Sequence, residues 1–216
     1  MKHLRFWFDP ISPYAYLAFE HLPRALEGHS VEVSYQPVLL AGLLAHWGQK
    51  GPAEIAPKRD WTYRHVLWTA QHLGLPMQLP ASHPFNPLSL LRLLLACAPT
   101  GHPPGRWACE QVLRHVWAEG AEASDADRLA ALATRLAPVR DPAGAEVKAA
   151  LRTATDEAVA HGVFGVPTVE VDGRLFWGLE GLTLLRAYLA GEPWFDGPGW
   201  TQAAGWPVGV QRHPGA

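Results

Sequence analysis

Strand signals in this chain are confined to its two ends, and that segregation limits the fold more than any other feature. Near the start, Leu4 to Phe8 is a short apolar and aromatic run that stops at Asp9-Pro10. The segment Val31-Glu32-Val33-Ser34-Tyr35 alternates apolar with polar residues. The first reads as a buried strand and the second as a strand with one buried face. Between them Ser12 is a good N-cap and Pro13 a good first helical residue; Tyr16, Leu17, Phe19, Glu20 and Leu22 then continue a pattern with one apolar side, and Gly28 closes it. Strand, helix and strand predict a right-handed βαβ unit with parallel strands. Strands return only after Gly162, where Thr168 to Val171 and Arg174 to Trp177 flank Asp172-Gly173. Asp-Gly between two such runs is the strongest short hairpin signal. Leu182 to Leu189 predicts a last helix stopped by Gly191.

From Pro37 to about His161 only helical signals occur, in the pieces Pro57 to Leu73, Pro87 to Ala98, Pro104 to Glu119, Asp125 to Leu136 and Pro142 to His161. Asn86-Pro87 and Asp141-Pro142 each set a capping residue before a first-turn proline. The chain is therefore expected to be α/β, with a frame made of residues 1–36 and 162–216 and a helical insertion domain of residues 37–161. The tail from Asp196 is rich in Gly, Pro and Trp without periodicity, and reads as a packed arm or a partly disordered one.

Composition removes several classes of function. Lys and Arg number 18 against 20 Asp and Glu, a formal charge of −2, which gives no field to hold nucleic acid or an anionic membrane surface. The longest apolar stretch, Leu88 to Ala98, is broken by Arg92 and is half of the roughly 20 residues a membrane helix needs. The opening Met-Lys-His-Leu-Arg-Phe-Trp-Phe lacks a secretory apolar region, so a cytoplasmic protein with reduced thiols is expected. Cys97 and Cys109 form no CxxC pair and read as small buried hydrophobes. His65 and His72 share a helical face, but no metal-binding spacing accompanies them. Gly162 to Gly165 lacks the spacing and lysine of a phosphate loop.

Three local sequences then narrow the reading. Phe8-Asp9-Pro10-Ile11-Ser12-Pro13-Tyr14-Ala15-Tyr16, His83-Pro84-Phe85-Asn86-Pro87, and Gly162-Val163-Phe164-Gly165-Val166-Pro167-Thr168 with Phe176-Trp177-Gly178 occur in that order. Together they resemble the 2-hydroxychromene-2-carboxylate isomerases, a branch of the DsbA-like thioredoxin superfamily close to the kappa-class glutathione transferases. The resemblance implies a thioredoxin-like βαβ…ββα domain interrupted by the helical insertion, a glutathione cofactor, a small aromatic substrate and a homodimer.

The resemblance also assigns residues. Ser12 stands where thioredoxin-like proteins carry the attacking cysteine, and Ala15 where they carry the second, so disulfide exchange is lost. Read from the residues alone, Ser12 is a helix cap; the resemblance makes it the donor that holds a glutathione thiolate. Val166-Pro167 would ordinarily be trans, whereas the resemblance implies a cis bond, with the Val166 backbone binding the cysteinyl part of glutathione. Lys58 and Gln49 match positions near its glycine end or a substrate carboxylate, and Asn86, Trp177 and Phe8 are implied substrate contacts. Relatives follow Trp-Gly with an Asp-Arg pair that grips the γ-glutamyl end, whereas this chain has Glu180 and Gly181. The expected activity is isomerisation through a borrowed thiolate nucleophile. Its rivals are glutathione conjugation, thiol-disulfide exchange, which the missing cysteine pair disfavours, and non-catalytic glutathione binding.

Overall fold

A computed structural model describes residues 1–207 and 209. Four strands, β1 (Lys2–Phe8), β2 (Val31–Pro37), β3 (Thr168–Val171) and β4 (Arg174–Trp177), form one mixed sheet in the order β2-β1-β3-β4. The βαβ unit runs through α1 (Pro13–Ala25) and pairs β1 with β2 in parallel, Leu4 opposite Val33 and Phe6 opposite Tyr35. β3 returns antiparallel to β1, with Trp7 opposite Thr168, and β4 pairs antiparallel with β3. The Asp-Gly turn forms as expected: Asp172 and Gly173 have φ of 51° and 72°, the two left-handed positions a tight hairpin requires. Thioredoxin-like architecture is thus built from the two ends of the chain.

Alternation along β1 divides the core. Phe6 and Phe8 face α1, where Phe6 meets Phe19 and Tyr35 at ring-centroid distances of 6.2 and 6.0 Å. Trp7 points to the other face among Val38, Leu43, Ala158 and Val163, and its Nε1 donates to the buried Glu170 carboxylate at 3.0 Å. Phe8 is 0% exposed, so this expected substrate wall is a core residue instead. The strict inside-outside period of a central strand leaves it no route to a cavity.

Between β2 and β3 lie α2 (Leu40–His46), α3 (Ala56–Leu73), α4 (Leu88–Ala96), α5 (Arg106–Trp117), α6 (Ala126–Leu136) and α7 (Ala145–Ala160). Leu113, Trp117 and Leu132 from this block share one core cluster with Leu4, Phe6 and Phe19. The proline-based starts overran. Asn86 Oδ1 accepts from Leu88 N and Asp141 Oδ1 from Ala143 N, so both dipeptides make Asx turns, and the helices begin at Leu88 and, after Gly144, at Ala145. Helix α2 had no signal of its own.

After α8 (Gly181–Leu189) the described part of the tail is a packed arm. A 3-10 turn at Pro193–Asp196 and helix α9 (Pro198–Ala204) bury Phe195 against Phe176 and Tyr188, at 6.1 and 5.3 Å. Residue 208 and residues 210–216 of the tail lie outside the described residues. Among the described residues no helix is long and apolar enough to cross a membrane. Cys109 is buried, its thiol pushed far up by burial, and half-buried Cys97 donates to Leu93 O.

Candidate active site

The site begins where β1 hands over to α1. Asp9 is wholly buried; its Oδ1 accepts from Ile11 N and its Oδ2 from Leu40 N, at 3.0 and 2.9 Å. Its backbone carbonyl accepts from Ser12 N at 3.0 Å. One carboxylate therefore fixes the turn before α1 and the start of α2 together. Burial pushes its pKa up to about 7, against the pull of those two amides.

Ser12 is the N-cap of α1, and its Oγ accepts from Ala15 N at 3.3 Å and donates to Val166 O at 3.4 Å. Both contacts are long, so the hydroxyl is weakly held and can be re-aimed. Ser12 retains 7% exposure and faces the Val166-Pro167 turn, whose peptide bond is cis. The first turn of α1 has few free donors. Pro13 has no N–H, and Ser12 N and Ala15 N are taken, which leaves the Tyr14 N–H. A hydroxyl and one free amide at the positive end of a helix, with no cysteine at residue 12 or 15, form a place for an anion rather than a disulfide.

Comparison with known proteins gives the family. Residues 3–190 match the DsbA-like thioredoxin domain. The chain belongs to that family. Glutathione S-transferase kappa 2 of Caenorhabditis elegans is 30% identical over 91% of this chain and 95% of its own length. A 2-hydroxychromene-2-carboxylate isomerase of Sphingobium xenophagum is 27% identical over 87% of this chain and 98% of its own. Among solved structures, a 2-hydroxychromene-2-carboxylate isomerase superposes with a TM-score of 0.76 at 21% identity, covering 90% of this chain and 97% of that one. The DsbA-like frame is therefore present, and its first helix starts at Ser12.

The remaining expected site residues are dispersed. Trp177, at the end of β4, is 49% exposed and packs on Phe164 at 5.1 Å, while the next residue, Gly178, donates its N–H to Pro167 O at 2.9 Å. Glu180 is the exposed N-cap of α8, and its charge bears on Tyr14, whose pKa is raised first by burial and then by that carboxylate. A Cβ on Gly181 would lie 2.8 Å from the Phe176 carbonyl carbon, so no larger side chain can be placed here without moving α8 off β4. Gln49 and Lys58 are exposed. Gln49 follows Trp47, whose Nε1 donates to Val163 O at 3.0 Å, and Lys58 lies in the first turn of α3. Asn86 commits its Oδ1 to the Asx turn.

Residues outside the expected set support the turn from behind. Trp117 Nε1 donates to Pro10 O at 2.8 Å, and His83 Nε2 to Ile11 O at 2.8 Å. Because the Ile11 carbonyl can only accept, Nε2 carries the proton, His83 Nδ1 pairs with the Tyr63 hydroxyl at 2.8 Å, and burial lowers the His83 pKa and favours the neutral ring. Tyr14, beside Ser12, pairs its hydroxyl with His65 Nδ1 at 2.8 Å. The His83-Pro84-Phe85 motif was the only signal in the sequence for any of this; partners 72 and 107 residues apart leave no local pattern.

Proposed function

We propose that the protein uses the thiolate of glutathione to isomerise a 2-hydroxychromene-2-carboxylate or a related aromatic keto acid. The observation that carries this reading is the weakly held Ser12 hydroxyl at the start of α1, opposite Val166-Pro167 and beside the free Tyr14 amide. Bound glutathione supplies a soft sulfur nucleophile that can add to a conjugated double bond and leave again. The chain's residues position and ionise it. A thiol of pKa about 8.5 needs about 2.7 kcal/mol of preferential thiolate stabilisation to fall by two units. A charge-assisted bond from Ser12 Oγ of about 1.5–3 kcal/mol, with up to about 2 kcal/mol from the helix dipole, is sufficient.

In this reading the backbone of Val166 and Pro167 aligns the cysteinyl part, and Glu180 takes the γ-glutamyl ammonium. Lys58 or Gln49 meets a carboxylate, and Trp177 and Asn86 border the substrate. The protein acts in the cytoplasm as a homodimer. Because the thiolate is expelled at the end, substrate and product have equal mass.

Conjugation of an electrophile is the second reading, favoured by the 30% identity to a kappa-class transferase. Incubation of the protein with glutathione and each substrate class, followed by mass spectrometry, separates the two. An unchanged mass with a new retention time supports isomerisation, and a gain of one glutathione supports conjugation. If glutathione accelerates neither reaction, the thiol-based reading fails.

A further inference from the structure

We propose that the groove between α1, α3 and α8 binds an organic acid that carries one carboxylate on an aromatic body, with Arg24 and Arg186 receiving the carboxylate and Trp68 the ring. Its arginine end is separate from the Ser12 turn; Tyr14 and Glu180, which the thiol reading also uses, line only the opposite end.

The groove encloses about 700 Å³, a volume suited to a small organic ligand. Ser12 is not among its lining residues; Tyr14, two residues on, marks its nearest approach to that turn. Three helical segments run alongside one another here. At one end Tyr14, His65 and Glu180 come together, as the 2.8 Å Tyr14–His65 bond and the effect of Glu180 on Tyr14 require. At the other end Arg186 Nη1 donates to Arg24 O at 2.9 Å, which brings the last turn of α1 against α8. Glu180 and Arg186 are six residues apart, about 9 Å along α8, so the carboxylate and guanidinium ends stay separate.

The arginine end is open to an anion. Among the described residues neither Arg24 nor Arg186 forms an ion pair, a state they share with six other arginines; what sets them apart is that both line one groove. The Arg24 side chain makes no hydrogen bond at all, and that of Arg186 makes the one bond to Arg24 O. Both groups are exposed at the lip, and Glu27 is the single carboxylate lining that end. Two guanidinium forks with free donors are suited to a carboxylate held by two or more bonds. Trp68, Leu73, Leu179 and Leu182 give the groove an apolar lining, with Thr69 and Thr183 among them, and Trp68, which packs on the His72 ring at 3.7 Å, remains 56% exposed. An exposed indole and two unpaired cations lining one groove fit a flat anion better than an aliphatic or a neutral ligand.

Isothermal titration of the full chain with 2-naphthoate, and with the neutral isostere 2-acetylnaphthalene, tests the site. One-to-one binding of the acid, at least about tenfold tighter than the ketone, is the expected result. Arg24→Gln disturbs no side-chain bond and weakens the acid about tenfold; adding Arg186→Gln weakens it further, and neither change alters binding of the ketone. Trp68→Ala weakens both probes. Equal affinity for acid and ketone, no saturable binding of the acid, or an Arg24→Gln protein that binds it like the parent overturns the proposal. Thermal stabilisation by glutathione is unchanged in all these variants, so failure of the thiol reading and failure of this one are told apart.

Discussion

Helices α1 and α3 lie side by side yet are held in opposite ways. α1 buries eight of its 13 residues, among them Tyr16, Leu17, Phe19 and Leu22, and packs on the sheet through aromatic side chains. α3 buries only Val66, Thr69 and Ala70 of its 18 and leaves Trp61 and Trp68 at 64% and 56% exposure. Its firmest attachments are polar, the Tyr14–His65 and Tyr63–His83 pairs. The helix that starts at Ser12 is thus firmly held, whereas α3, which forms another wall of the groove, is lightly docked. That division sets a firmly held Ser12 turn beside a groove with one lightly docked wall.

The largest expected effect separates the two helices by stability. Leu17→Ala opens a cavity in the core and costs about 2–5 kcal/mol, while Leu67→Ala, on the exposed side of α3, stays within about 0.5 kcal/mol. Urea denaturation at constant m-value measures both, and comparable losses would break the contrast. A smaller effect concerns the link between the helices. His83→Ala leaves the part-buried Ile11 carbonyl without its donor and costs about 1–3 kcal/mol, more than Tyr63→Phe, which removes a hydroxyl shared between His83 Nδ1 and His83 O and costs about 0.5–1.5 kcal/mol. If the order of the two is reversed, His83 is not what braces the turn.

Protonation of Asp9 gives a subtler difference. Its folded pKa, about 7, lies above the ordinary carboxylate value near 4, so below pH 4 both the folded and unfolded chains hold the proton. Between pH 4 and 7 the unfolded chain releases it and the folded chain keeps it. Stability is therefore lost as the pH rises through that window, and the loss is complete above about 7. Asp9→Asn removes this slope while costing one of the two amide bonds, since an amide has a single acceptor oxygen. Melting temperatures at pH 4.5, 6 and 8 read it, and an unchanged slope in the variant would exclude the assignment.

Much of the frame was legible because its determinants are local. The β1 and β2 patterns, the Ser12-Pro13 start of α1 and the Asp172-Gly173 turn each act within a few residues. At the candidate site, the start of α1 at Ser12 was legible from local signals and the cis Val166-Pro167 bond from a motif. Phe8 was misjudged because an aromatic near a motif has the same letter whether it faces the core or a cavity, and the parity of β1 decides which. Asn86-Pro87 and Asp141-Pro142 were read as helix caps because an Asx turn and an N-cap use the same side chains. The braces from Trp117, His83 and Leu40, and the meeting of Arg24 with Arg186, join residues up to 162 positions apart and exist only in the fold.

Titration of enzyme-bound glutathione, followed by thiolate absorbance near the ultraviolet edge in the parent and in Ser12→Ala, tests the central claim most directly. If the Ser12 hydroxyl holds the sulfur as an anion, the parent ionises its bound thiol about two pH units below free glutathione, and the variant returns it at least one unit toward the free value. Identical titrations for the two proteins would contradict the account.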